Sequence, residues 1–414
     1  MQAWPHQLEI ARRGLDLLKK YLIVYLAMEE RTGKTLTAIL MAEDTNVKNV
    51  LVITKKKAII SEDKKSGWLP TIASYPCKKH YEVISYQSTH KVTVKPDLVI
   101  LDEAHSFVSG YPKRSKTWMT IRKLCKGVPI IYLSATPKAQ GNQMLFNQFA
   151  LSDWSPWDEY SNYYEWFKYY AERDKEGNVK TIKINSMDTV VDYSAVRQED
   201  VWSYVKHLFI TKTRKELGFE KEPEDVLHYI TLSNGVRDIY NYLLKHKVLD
   251  FTHAATGKDY KLVCDSPIKL RWALHMLEGG TLKIGDEYID LGNTEKVDYI
   301  LKTWGDTDDI VIMYQYKADK VKLEKYFANA SLLQATSYAE GVDLSGYKDL
   351  IIYSQDFSTA KHTQRRARQA NKERDTDIKV HFILVKKAVS EQVYRTVSEN
   401  KKDFVDSTFI KEEL

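Results

Sequence analysis

Gly33-Lys34-Thr35 and Asp102-Glu103 are the residues of this chain best suited to chemistry on phosphate. Gly-Lys-Thr follows the apolar run 22–26 and leads into the apolar segment 36–41, so a strand, a turn and a helix are expected in succession. A helix N-terminus so placed offers unpaired N–H groups and a partial positive charge to phosphate oxygens. In that context Thr32 and Gly33 shape the loop, Lys34 reaches the β- and γ-phosphates, and the Thr35 hydroxyl ligates Mg2+. The match to a phosphate-binding loop is partial. Met28 stands where the pattern begins with glycine, and Arg31 where many such loops have another. Standing alone, the stretch fits an ordinary surface turn equally well.

Asp102 and Glu103 close the apolar run 97–101. An acidic pair beside a buried strand is costly unless it binds a metal or activates water. Asp102 would hold Mg2+ largely through its waters, and Glu103 would orient or deprotonate the attacking water. Runs 50–54, 81–85, 97–101 and 128–133 are apolar without alternation and lie a helix length apart. That pattern predicts a parallel sheet covered on both faces, with function gathered at the carboxyl ends of its strands. Thr54, Lys55, Tyr86, Ser134 and Thr136 all fall at such ends. Runs 309–313, 349–353 and 380–385 predict a second sheet of the same kind, and 281–291, with Gly285-Asp286 at its middle, predicts a hairpin.

Composition bounds the elements that surround these residues. A chain of 414 residues needs two or three domains. The start lacks a basic segment followed by an apolar one, no apolar run approaches the roughly 20 residues of a membrane span, and no membrane partner is expected. Cys77, Cys125 and Cys264 are too scattered for a metal site or a disulfide framework, which fits a reducing cytoplasm. The net charge of +6 permits a polyanionic partner without requiring one. Residues 155–170 are dense in tyrosine and tryptophan. They suit either a base-stacking platform or, as the favoured reading, helices packed between two sheet domains. Lys212-Thr-Arg-Lys215 fits a phosphate-backbone contact or a solvated face.

In their order, Gly33-Lys-Thr35, Asp102-Glu-Ala-His105 and Ser134-Ala-Thr136 resemble motifs I, II and III of superfamily 2 helicases and translocases. Gly67-Trp68 and Lys113-Arg-Ser-Lys116 make the resemblance one to SWI/SNF-type double-strand translocases, with compact phage-encoded members the nearest in look. Ser337-Tyr-Ala-Glu-Gly341-Val-Asp343 resembles motif V, and Gln364-Arg365-Arg-Ala-Arg368 resembles motif VI, with Asn371 where a final arginine is usual.

The resemblance implies an α/β protein with two RecA-like doubly wound parallel-sheet domains in tandem and a helical, aromatic-rich insertion between them. The expected boundaries are 1–145, 146–225 and 226–414. It implies ATP and Mg2+ as cofactors, bound between the two sheet domains, and duplex or branched DNA as the partner of a monomeric motor, with RNA as second choice. Gln7 would read adenine, although as an isolated residue it suits a helix start better. Gly341 would approach the nucleotide, Asp343 the ribose, and Gln364 the same site. Arg365 or Arg368 would stabilise transition-state charge. Lys55, Thr54, Tyr86, Tyr314 and Ser337 would touch nucleic acid, while Ser134 and Thr136 would couple the two sites. A nucleotide-gated clamp with weak hydrolysis and an RNA helicase are the rival readings. The implied setting is cytoplasmic, in a phage-infected bacterial cell.

Overall fold

The computed structural model describes residues 2–60, 66–138, 140–183, 189–219, 221, 223–335, 344, 346–369 and 377–399, apart from the side chains at 183, 360, 364 and 368. The chain divides into two compact units, 1–218 and 219–414.

In the first unit, helix α1 (Pro5–Tyr21) begins on a proline, whose missing N–H would have had no helical partner there, and buries Ile10, Ala11, Leu15 and Leu18. Left-handed Leu22 ends it and delivers the chain to β1 (Ile23–Met28). There follow α2 (Lys34–Glu43), β2 (Asn49–Thr54), α3 (Trp68–Ser74), β3 (His80–Ser85), β4 (Leu98–Asp102), α4 (Lys116–Leu124) and β5 (Ile130–Leu133). The aromatic stretch then supplies α5 (Tyr163–Tyr170), a two-stranded antiparallel ribbon of β6 (Thr181–Lys183) and β7 (Thr189–Val191), and α6 (Gln198–Val205). It closes with β8 (Phe209–Lys212).

Six strands form one sheet in the order β3-β2-β4-β5-β1-β8, with every pairing parallel. Ile23, Val24, Tyr25 and Leu26 of β1 are all fully buried, so the strand is covered on both faces and needs no alternation. Register decides where the chemistry lies. Leu133 pairs with Leu26 on one side and with Asp102 on the other, so β1, β5 and β4 end side by side.

The segment after β5 is not wholly helical, because it contains the ribbon and returns β8 to the sheet beside β1. Trp157, Tyr163, Trp166, Phe167 and Tyr170 are buried in one cluster with Phe146, Phe149 and Phe209. These rings are core, not a stacking platform. Tyr25 lies between Tyr132 and Phe209, at ring-centroid distances of 5.2 and 4.8 Å. Such pairs add about 0.5–1.5 kcal/mol each beyond area burial.

The second unit contains β9 (Pro223–Ile230), α7 (Asn234–His246), the hairpin β10 (Val248–Thr252) and β11 (Asp259–Val263), then α8 (Pro267–Glu278). The expected hairpin is β12 (Thr281–Ile284) with β13 (Glu287–Asp290), turning at left-handed Gly285. Next come α9 (Glu295–Thr303), β14 (Ile310–Tyr314), α10 (Lys317–Leu323), β15 (Ser331–Gln334), β16 (Asp349–Ile352), α11 (Thr359–Arg366) and β17 (Ile378–Val385). A five-stranded sheet of order β15-β14-β16-β17-β9 is again parallel throughout. The expected pair of parallel-sheet α/β domains is therefore present. Strand β15 was invisible in the sequence because its four residues, Ser-Leu-Leu-Gln, sit half-buried at the sheet edge and carry no apolar run. No helix among the described residues is long and apolar enough to cross a membrane.

Candidate nucleotide-binding site

The turn after β1 has the backbone of an anion-binding loop. Gly33, at φ 84°, caps α2, and Arg31 ahead of it also has a positive φ of 67°. Glycine is required at position 33 for a second reason. A Cβ there would lie 2.0 Å from Gln7 Nε2. Gln7 is buried; its Nε2 donates to Gly33 O at 3.1 Å, and its Oε1 accepts from Trp4 N at 2.8 Å. The amide expected to read adenine thus serves here as a strut between the start of α1 and the loop. Thr32 is buried, with its hydroxyl donating to Glu29 O at 2.7 Å. Lys34 lies along the loop, Nζ donating to Met28 O at 2.7 Å and Glu29 O at 2.9 Å. The half-buried Thr35 hydroxyl has no hydrogen-bond partner among the described residues.

Asp102 ends β4 in a fixed orientation. Its Oδ2 accepts from Thr54 Oγ1 at 2.8 Å and from the Trp68 indole N–H at 2.9 Å, while its carbonyl accepts from the Tyr86 hydroxyl at 2.8 Å. Tyr86 stacks on Phe107 with ring centroids 4.1 Å apart. These contacts correct two expectations. Thr54 and Tyr86 are buried and spend their hydroxyls on Asp102, so neither side chain faces a polymer. Lys55 stays half-exposed, its ammonium 5.9 Å from the Phe107 ring, and is followed by exposed Lys56 and Lys57.

Glu103 adopts the left-handed conformation at φ 54°. For a non-glycine residue this costs on the order of 1 kcal/mol and is characteristic of functional turns. Its Oε2 lies 3.5 Å from His105 Nδ1. His105 is buried, and its pKa is pushed down to about 3, by burial first and then by the charges of Lys55 and Lys34. The ring is therefore neutral at working pH, and the contact with Glu103 is not an ion pair. His105 Nδ1 lies 2.7 Å from Ser134 Oγ, and its Nε2 lies 3.1 Å from Ser106 Oγ and 3.4 Å from Thr136 Oγ1. Ser134 Oγ also accepts the Thr136 backbone N–H at 3.0 Å. A hydrogen-bonded chain thus joins His105 to Ser134 and Thr136, with Glu103 Oε2 approaching its His105 end at 3.5 Å.

Thr35 and Asp102 are oxygen donors of the kind Mg2+ takes, and a cation that keeps most of its waters needs few protein ligands. The residues present fit it. Among the described residues no cluster of three or more His, Cys, Asp or Glu forms a metal cage, and this site would not need one.

In the second unit Arg365 is buried, with Nη2 3.2 Å from Gln315 Oε1 and 3.4 Å from Asp356 Oδ2. Burial lowers its pKa to about 10, so it stays charged. The guanidinium is buried within its own unit and not exposed, and its Nε has no hydrogen-bond partner among the described residues. The Tyr314 side chain is likewise buried and is not presented at the surface. Ser337, Gly341 and Asp343 lie outside the described residues, as do the side chains of Gln364 and Arg368.

Sequence reasoning missed Trp68 and His105 as site residues, although both stand inside the motifs quoted. A tryptophan is an easy core assignment, and only the fold aims its N–H at Asp102. Trp68→Phe keeps most of the ring volume and deletes the donor, a bond to a carboxylate worth about 1.5–3 kcal/mol. The expected result is an ATP turnover that needs several-fold more Mg2+, with thermal melting lowered only modestly. An unmoved Mg2+ titration would reduce Trp68 to a packing residue.

No family model matches the chain, and no curated protein matches it. Among solved structures, the Sulfolobus solfataricus SWI2/SNF2 ATPase core in complex with dsDNA aligns over 100% of this chain and 95% of that chain, at 14% sequence identity and a TM-score of 0.44.

Proposed function

We propose that this chain is an ATP-dependent DNA translocase or helicase, which couples ATP hydrolysis to movement on duplex or branched DNA. One observation carries the reading. At the carboxyl edge of one parallel sheet stand a left-handed Gly33 loop with Lys34 and Thr35, an Asp102 held by two donors, and a Glu103 next to the His105 that binds Ser134. That is a phosphate cradle, a metal ligand and a water activator, joined to a polar relay leading away from them.

In this reading the N–H groups of the loop and of α2 receive the phosphates, and Lys34 leaves its loop carbonyls to meet them. Thr35 and Asp102 hold Mg2+, which neutralises phosphate charge when bound. Glu103 orients the attacking water and takes its proton. The Glu103–His105–Ser134–Thr136 chain passes the state of the nucleotide to the rest of the sheet edge. Lys55 to Lys57 are the first-unit candidates for phosphodiester contact, which positions without reading sequence. The duplex preference rests on the SWI/SNF-like flanks at Gly67-Trp68 and at 113–116. Arg368, with Arg365 should it be released, is the second unit's candidate for transition-state charge.

The test is ATP turnover measured alone and with single-stranded, duplex, forked and four-way DNA, and with RNA. Low basal turnover, stimulated most by duplex or branched DNA, is expected. Stimulation by RNA alone would replace the substrate class. DNA affinity should fall with salt in a linear log–log relation, because counterions are released from phosphate contacts. The enclosure of Arg365 favours one second reading, a nucleotide-gated clamp. It would bind ATP and DNA together yet turn over no faster with DNA than without.

A further inference from the structure

Arg214 sits in the basic run Lys212-Thr-Arg-Lys215, immediately after β8, yet it is only 8% exposed. Its backbone N–H donates to Glu29 Oε2 at 2.7 Å. Its Nε lies 3.8 Å from the same oxygen, and its Nη1 lies 3.7 Å from Glu30 Oε2. The Glu29 N–H in turn donates to Lys212 O at 3.0 Å, extending the ladder by which Met28 of β1 pairs with Lys212 of β8. The loop that leads to Gly33-Lys34-Thr35 therefore opens with two carboxylates, both turned onto one buried guanidinium.

Two carboxylates are an unfavourable start for a loop that must receive a triphosphate. Like charges close together repel, the more strongly the less water lies between them. The loop's own lysine lies on carbonyl oxygens, not on these carboxylates. Arg214 contacts both carboxylates, and the β1–β8 ladder fixes it there.

We propose that Arg214 is a positioning residue for nucleotide binding. It offsets part of the charge of Glu29 and Glu30 and holds both side chains toward β8, leaving the loop open to an anion. This rests on the reading of the loop as a nucleotide site. It also has a signed consequence that a mere prop would lack. Removing the arginine alone should be worse than removing the arginine and both carboxylates together.

The experiment measures binding of a fluorescent ATP analogue to the full chain and to Arg214→Ala, Arg214→Lys, the Glu29→Gln/Glu30→Gln pair and the triple variant, with thermal melting of each. Arg214→Ala should bind roughly tenfold or more weakly, because the carboxylate pair loses its counter-charge. The triple variant should recover most of that loss, and Arg214→Lys should lie between. A triple variant that binds as weakly as Arg214→Ala would make the arginine a structural support and overturn the proposal, as would Arg214→Ala binding like the parent. Should Arg214→Ala fail to fold, Arg214→Lys against the triple variant gives the same comparison. A parent chain that does not bind the analogue would overturn the nucleotide-site reading as well, so the two failures are distinguishable.

Discussion

Glu103→Gln is expected to reduce DNA-stimulated ATP turnover by about 10²–10⁴-fold, the usual contribution of a positioned general base. ATP-analogue affinity should change little. Glutamine has the same reach and tolerates the left-handed backbone no worse than glutamate, so the φ of 54° and the contact with His105 can persist. What is lost is the ability to accept a proton. Because His105 is held neutral down to a pKa of about 3, it cannot take over as a charged partner, and no histidine limb should appear in the pH profile near neutrality. Turnover at the parent rate would remove Glu103 from the chemistry and send the search to another base.

The second large effect is expected from Lys34→Ala. The Lys34 ammonium now bridges Met28 O and Glu29 O in the loop capped by Gly33. Its loss removes one or two charge-assisted hydrogen bonds to phosphate, each worth about 1.5–3 kcal/mol, so nucleotide affinity should fall at least tenfold and turnover should vanish. A stability cost is also expected, because two loop carbonyls lose their donor. The contrast between the variants is the sharper result. Lys34→Ala fails to bind, whereas Glu103→Gln binds and does not turn over. Fluorescent ATP-analogue titration and turnover on the same preparations check this directly. Unchanged binding by Lys34→Ala would place the phosphates away from this loop.

Together with Trp68→Phe, these changes separate three functions at one sheet edge. On the proposed reading the loop would bind, Asp102 with its Thr54 and Trp68 donors would orient a cation, and Glu103 would act on water. Each is affected by a different readout, namely affinity, Mg2+ requirement and rate.

Much of this was decided by the sequence alone. Short apolar runs without alternation, spaced a helix length apart, point to strands covered on both faces, so two parallel sheets were expected from 22–26, 50–54, 97–101, 128–133 and their counterparts in the second half. Gly33-Lys34-Thr35, Asp102-Glu103 and Ser134-Ala-Thr136 were legible because the chemistry demands those residue types at strand ends. Local sequence did not carry side-chain partnership across the sheet. Thr54 and Tyr86 looked like polar residues awaiting a ligand, and only the β2–β4 pairing and the burial of Tyr86 turned their hydroxyls onto Asp102. Arg365 looked available in a basic run until Asp356 and Gln315, close in space but not all near in sequence, enclosed it. Arg214 and Glu29 are 185 positions apart, and no periodicity links them. Hydrophobic pattern is a local quantity and specifies which elements form. The partners of a buried charge are set by register and strand order, which exist only once the sheet has closed around them.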